Sequence, residues 1–146
     1  MECGDKNIVK DIAAVGTENN FWIHNVCFYA NVEKNAMGAI LNQDFQYFIL
    51  DLGSDSQKGK EEFLRCSGKI VVGSLNPWKR QTYYHFIETT SIWEINGQCM
   101  YLSLFGNKRE NKKCRCTYGI NMESIPFILD PFQVEPQHFS FLHALV

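Results

Sequence analysis

Residues 68–95 read GKIVVGSLNPWKRQTYYHFIETTSIWEI, and the architecture turns on how they are divided. KIVVGSL (69–75) has the β-branched density of a short strand, with Gly73 marking a bulge or bend. Pro77 fixes its own φ and biases Asn76 away from the α region, so 76–80, NPWKR, reads as a turn. TYYHFIETTSIWEI (82–95) is the longest β candidate, and Asn96-Gly97 behind it is a hairpin signal. CMYLSLF (99–105) then pairs across that turn, with Met100, Leu102 and Leu104 alternating toward one face.

Outward from this hairpin the chain also reads mostly β. FWIHNVCFYANV (21–32) alternates in part, with Trp22, Val26, Phe28 and Val32 on one side and His24 breaking that face. FQYFILDL (45–52) is a continuous apolar run, and the GSDSQKGK that follows is a loop by composition. KGKEEFLRC (58–66) is too short for periodicity to separate helix from strand. GNKRENKK (106–113) reads as a charged loop and CRCTYGI (114–120) as one more strand. Helix is expected in two places. Residues 5–15 carry an Ile8, Ile12, Val15 stripe behind Asp5, and 136–145 can form a short helix in a tail punctuated by Pro126, Pro131 and Pro136.

At 146 residues and 45% hydrophobic, the chain has the material for a core, which excludes global disorder. The expectation is a single domain: an N-terminal segment 1–20, a β core 21–120 and a wrapping or docking tail 121–146. No apolar run is long enough for a membrane span, and residues 1–20 show no secretory h-region. The six cysteines stand at 3, 27, 66, 99, 114 and 116, with Cys27 and Cys99 inside apolar runs where a thiol acts as a small hydrophobe. Free thiols in a nuclear or cytoplasmic setting are therefore expected. Cys114-Arg115-Cys116 lacks the spacing with which two thiolates reach one zinc ion, and His138 and His143 lie in an apolar segment. No metal and no cofactor is expected.

The order of these segments resembles the OB-fold, a small Greek-key β-barrel, over residues 21–95. The first strand would be WIHNVCFYANV, the second FQYFILDLGSDS with its Asp-containing turn, the third EEFLRC, and 68–95 the closing hairpin. Within that superfamily the likeness is to single-stranded-DNA-binding subunits of telomere and replication complexes. The resemblance implies an all-β, mainly antiparallel fold, a small closed or partly open Greek-key barrel. The family's helix between strands three and four has no counterpart, and 99–120 adds strands, so a cytokine-type β-trefoil and a galectin-like β-sandwich stay open.

Charge is segregated. Residues 1–57 hold 3 basic and 8 acidic side chains, 58–116 hold 11 and 5, and 117–146 hold 0 and 3. A basic island with aromatics suits single-stranded DNA or RNA, where cations track phosphates and rings stack on bases. The candidate contacts are Lys58, Lys60, Arg65, Lys69, Trp78, Lys79, Arg80, one of Tyr83 and Tyr84, and the second cluster Lys108, Arg109, Lys112, Lys113 and Arg115. The alternative is a scaffold subunit that docks partner proteins through Phe127, Phe132, Phe139, Phe141 and Leu142 of the tail. A third reading is a secreted cytokine-like or sugar-binding module. No catalytic spacing pattern (G-x-S-x-G, P-loop, H-E-x-x-H, G-x-G-x-x-G) occurs, so an enzyme is not expected.

Overall fold

The computed structural model describes residues 20–93, 99–130 and 132–145. The candidate helix at 5–15 and the Asn96-Gly97 turn lie outside the described residues. The chain divides into two compact units, Met1–Gly53 and Ser54–Val146.

In the first unit, β1 (Asn20–Ile23) and β2 (Val26–Tyr29) form an antiparallel hairpin. The expected long strand at 21–32 is thus two short ones. His24, at φ 52°, is the first of two loop residues, where positive φ matches the loop to the strands' twist. Phe21 and Phe28 are directly opposite in the register, and their rings stack at 5.2 Å. The helix α1 (Lys34–Leu41) follows. Residues 45–52 form no strand. Phe45 packs on Trp22 and Phe48, while Ile49 is 94% exposed, so the run's apolar composition did not become a buried strand. Its terminal turn does form: the Asp51 carboxylate accepts from Gly53 N–H at 3.0 Å, and Gly53 takes φ 69°.

The second unit opens with α2 (Lys60–Arg65), so EEFLRC is helix rather than a third strand. It continues through β3 (Lys69–Ser74), α3 (Arg80–Ser91), β4 (Cys99–Leu104), α4 (Lys108–Tyr118) and β5 (Met122–Ser124). The three strands form one parallel sheet in the order β3-β4-β5. This overturns the expected all-β Greek-key barrel: the fold is mixed α/β, and no barrel closes among the described residues. A parallel neighbour demands a crossover back along the sheet, which a two-residue hairpin cannot make and a helix can. The strands at 69–75 and 99–105 are therefore where the sequence placed them, but side by side in the same direction.

Residues 82–95 are the decisive misreading. Their β-branched and aromatic density suggested strand, yet the buried positions are Tyr83, Ile87 and Thr90. Tyr83 and Thr90 are an odd number apart, so a strand would place them on opposite faces and a helix places them together. The hydroxyl side chains near its end tolerate the helix by bonding back to it. Thr89 Oγ1 donates to His85 O (2.9 Å), Thr90 Oγ1 to Ile87 O (3.1 Å) and Ser91 Oγ to Glu88 O (2.6 Å).

The segments 106–113 and 114–120, read as a loop and a strand, together build α4. Asn107 caps it, its Oδ1 accepting from Arg109 N at 3.1 Å and Glu110 N at 3.0 Å. Gly119, at φ 68°, ends it in the left-handed conformation that spares glycine the Cβ penalty. Glu110 in the first turn and Arg115 in the last complement the helix dipole.

Val71, Tyr101 and Met122 are in register across the three strands. They form one core with Tyr83 and Ile87 of α3 and Cys114 of α4, so both helices lie on the same face. Sequential strands joined by two crossovers of the same hand produce that arrangement. The opposite face carries Ile70, 42% exposed, and Val72, 57% exposed. Gly73 is no bulge: it lies in a regular strand, and a Cβ there would run into the ring carbons of Tyr83. That ring crosses the strand so that its hydroxyl reaches the carbonyls of Val71 (3.2 Å) and Leu102 (2.9 Å), tying two neighbouring strands together. In the tail, a single 3₁₀ turn (Pro136–His138) and α5 (Phe139–His143) fulfil the helix expected at 136–145.

Candidate nucleic-acid interface

In parallel sheets, loops leaving the carboxyl ends of the strands lead into helix N-termini, and that edge is where such sheets commonly hold ligands. Here two such loops lie side by side. The first runs from Leu75 to Lys79. Leu75 is buried and its N–H donates to Leu104 O at 3.0 Å, so the sheet's hydrogen bonding extends into the loop. Asn76 O then accepts from Lys79 N (2.9 Å) and Arg80 N (2.8 Å), which folds the chain into α3. Trp78 sits on this turn at 76% exposure, with Lys79 and Arg80 exposed beside it. The turn predicted for Asn76–Arg80 is present, and it leads into a helix rather than a returning strand.

The second loop is Phe105-Gly106-Asn107. Phe105 is 69% exposed and adopts φ 55°. Gly106 has no room for a side chain, because a Cβ would meet Ser103 Oγ, Asn111 Oδ1 at 3.0 Å and Leu75 Cδ1 at 3.1 Å. A polar lattice holds the loop from below. Asn111 Nδ2 donates to Ser124 Oγ (3.0 Å), Ser124 Oγ to Gly106 O (3.4 Å), and the Ser103 hydroxyl lies 3.3 Å from both Asn111 Oδ1 and Glu123 O. Lys108 and Arg109 follow at once on the first turn of α4. Lys108, Lys112 and Arg115 recur at i, i+4 and i+7, and Arg109 and Lys113 form a second row. All five are exposed, so the outer face of α4 is basic along its length, with Glu110 the acidic residue in its first turn.

The other predicted contacts fall elsewhere. Tyr83 is buried beneath β3 and Tyr84 is half-buried between the helices, its ring 5.6 Å from Tyr118 and its hydroxyl 3.9 Å from Cys114 Sγ. Burial pushes the Tyr84 phenol up to about 12 and raises Tyr83, Tyr101 and Cys114 as well. Neither Tyr83 nor Tyr84 is free to stack on a base. The either-or expectation rested on strand alternation, and in a helix adjacent residues sit 100° apart, so both turned inward. Lys69 is buried at the amino end of β3, its ammonium donating to Cys66 O at 2.5 Å. Lys60 lies 5.1 Å from the Trp93 ring, a cation–π contact that keeps it against its own unit. Lys58 and Arg65 are exposed near α2, and Arg65 belongs to the amino end of the sheet through the Cys66–Lys69 contact.

Phe105 was missed by the sequence reading, because it was absorbed into the apolar run 99–105. The available signal was its position immediately before Gly106-Asn107, where the strand must end. Cys114 is buried and Cys116 exposed, so one helix turns the two thiols apart and they do not converge on one ion. Among the described residues the cysteines are free and no cluster of three His, Cys, Asp or Glu side chains could hold a metal. No described helix is long and apolar enough to cross a membrane. Of the tail residues named for partner docking, Phe127, Phe132 and Phe139 are exposed while Phe141 and Leu142 are half-buried.

The fold and edge define a two-layer α/β unit with two consecutive βαβ crossovers and a basic carboxyl edge. In comparisons with known proteins, no family model, no curated protein and no solved structure matches the chain.

Proposed function

We propose that the chain is a non-enzymatic binding module that captures single-stranded DNA or RNA at the carboxyl edge of its parallel sheet, within a nuclear or cytoplasmic complex. One observation carries the reading. Two cation pairs far apart in sequence, Lys79-Arg80 and Lys108-Arg109, stand at the starts of neighbouring helices on the same edge, next to an exposed tryptophan. The helix N-termini add positive potential to theirs. An indole left in water gains from stacking on a base, and the cations gain by releasing phosphate counterions.

The test is fluorescence anisotropy of labelled single-stranded DNA and RNA oligomers across a salt series. Wild type should bind at micromolar affinity or tighter with a clear log-salt slope. Trp78→Ala combined with Lys79→Ala should weaken binding at least about tenfold while the fold persists. Absence of binding at low salt sinks the reading, and an unchanged affinity in the double variant removes this edge from it.

A second reading, docking of a partner protein, has its own support. The tail exposes Phe127, Leu129 and Phe139, and beside them an open hollow of about 320 Å³ is lined by Phe127, Ile128, Leu129, Asp130, Glu135 and His138 among others. Exposed aromatic anchors of this kind suit protein interfaces.

A further inference from the structure

Phe105 combines two costs that a loop residue ordinarily avoids. A large apolar ring is left 69% exposed, and its backbone sits at φ 55°, where glycine is the residue without penalty. Packing does not require it: the residues that anchor this loop are its neighbours. Leu75 and Leu104 join the two loops by a backbone hydrogen bond of 3.0 Å, and Gly106 is tied to Ser124. The ring crowns the end of β4 as Trp78 crowns the end of β3, and these are adjacent strands. Lys79 and Arg80 follow the first ring, and Lys108 and Arg109 follow the second after Gly106-Asn107. Each loop thus repeats one chemical pattern, an exposed aromatic face and then two cations at the start of a helix.

We infer that Phe105 is a second base-stacking platform beside Trp78, so that this edge takes two unpaired bases of a single strand while the flanking cations hold its phosphates. The inference rests on the nucleic-acid reading above and adds a selectivity to it. Cations bind single strands and duplexes alike, whereas stacking platforms reach only bases released from pairing. The rings therefore set the preference for single over double strands.

Phe105→Gly is the informative variant, because removing the ring also relieves the positive φ. In the full chain, its thermal midpoint should match or exceed that of wild type. Its affinity for a labelled oligothymidine should fall at least about fivefold, while its weaker affinity for a blunt duplex of equal length stays within about twofold. Phe105→Tyr should restore single-strand binding. Three results would overturn the inference: wild-type affinity for the single strand in Phe105→Gly; equal losses for single strand and duplex, which mark a structural effect; or no binding by wild type. Only the last also ends the broader reading. The first, with Trp78→Ala still impaired, leaves that reading standing and removes Phe105 alone.

Discussion

At Gly73 the Tyr83 ring of α3 lies directly against the backbone of β3. The glycine's missing side chain is the space that the Tyr83 ring occupies, and that placement lets the phenol bridge the Val71 and Leu102 carbonyls. Gly73→Ala should cost about 1–3 kcal/mol in urea unfolding, because the ring is buried and has nowhere to relax. Gly68 has nothing within 4 Å of its would-be Cβ, and Gly68→Ala should stay within about 0.5 kcal/mol of wild type. Equal effects at the two positions would remove the packing argument. Nothing in KIVVGSL announces this role: a glycine in a strand signals a bulge as readily as a close approach, and the choice depends on Tyr83, ten positions on.

At the scale of elements, α3 and α4 pack against the sheet through a layer of titratable groups. Burial raises Tyr83, Tyr84, Tyr101 and Cys114 above their ordinary values of 10 for a phenol and 9 for a thiol, and Tyr84 reaches about 12. Below pH about 8 these groups keep their protons in folded and unfolded chains alike, so they give no pH dependence. Above it the unfolded chain releases protons that the folded chain retains, and stability falls as pH rises. The urea midpoint should thus hold steady from pH about 6.5 to 7.5 and decline from about 8 toward 12. Tyr84→Phe should shallow that decline. A midpoint flat through pH about 11 would contradict a closed helix–sheet layer.

Both helices illustrate what a sequence conceals at this scale. The α4 caps were legible, since Asn107 and Gly119 bracket a run rich in Lys and Arg, both good helix formers. Charge alone had suggested a loop. The α3 segment was less legible, because Tyr, Phe, Ile and Thr favour strands and only the spacing of Tyr83, Ile87 and Thr90 records the helix.

For the whole molecule, the important fact is that the basic island of 58–116 does not form one surface. Lys79, Arg80, Lys108 and Arg109 belong to the carboxyl edge, while Arg65 and Lys69 belong to the amino end. The six residues of β3 separate these edges by roughly 17 Å. That is about two Debye lengths at ~0.15 M salt, so cations at one edge contribute little at the other. Lys108→Ala with Arg109→Ala should lower the log-salt slope of single-strand binding by about 1.4, the share of two phosphate contacts. Lys58→Ala with Arg65→Ala should leave both slope and affinity near wild type. A reversed outcome would move the phosphate track to the amino end.

Local chemistry marked much of this molecule before any contact was known. The strands at 69–75 and 99–105, the turn at Asn76–Arg80, the turn at Asp51–Gly53 and the helical end of the tail all follow from side-chain branching, proline and glycine acting over a few residues. The clustering of cations between acidic ends was equally plain. Tertiary structure alone decided the direction in which β3 and β4 run, and with it α/β over barrel. Two six-residue apolar strands accept parallel or antiparallel neighbours, and the return path between them makes the choice. That same path turned Tyr83 and Tyr84 inward and brought Trp78 and Phe105 to one edge. Which of the aromatics reach solvent is thus a property of strand direction and helix phase, which depend on contacts between residues distant in the chain.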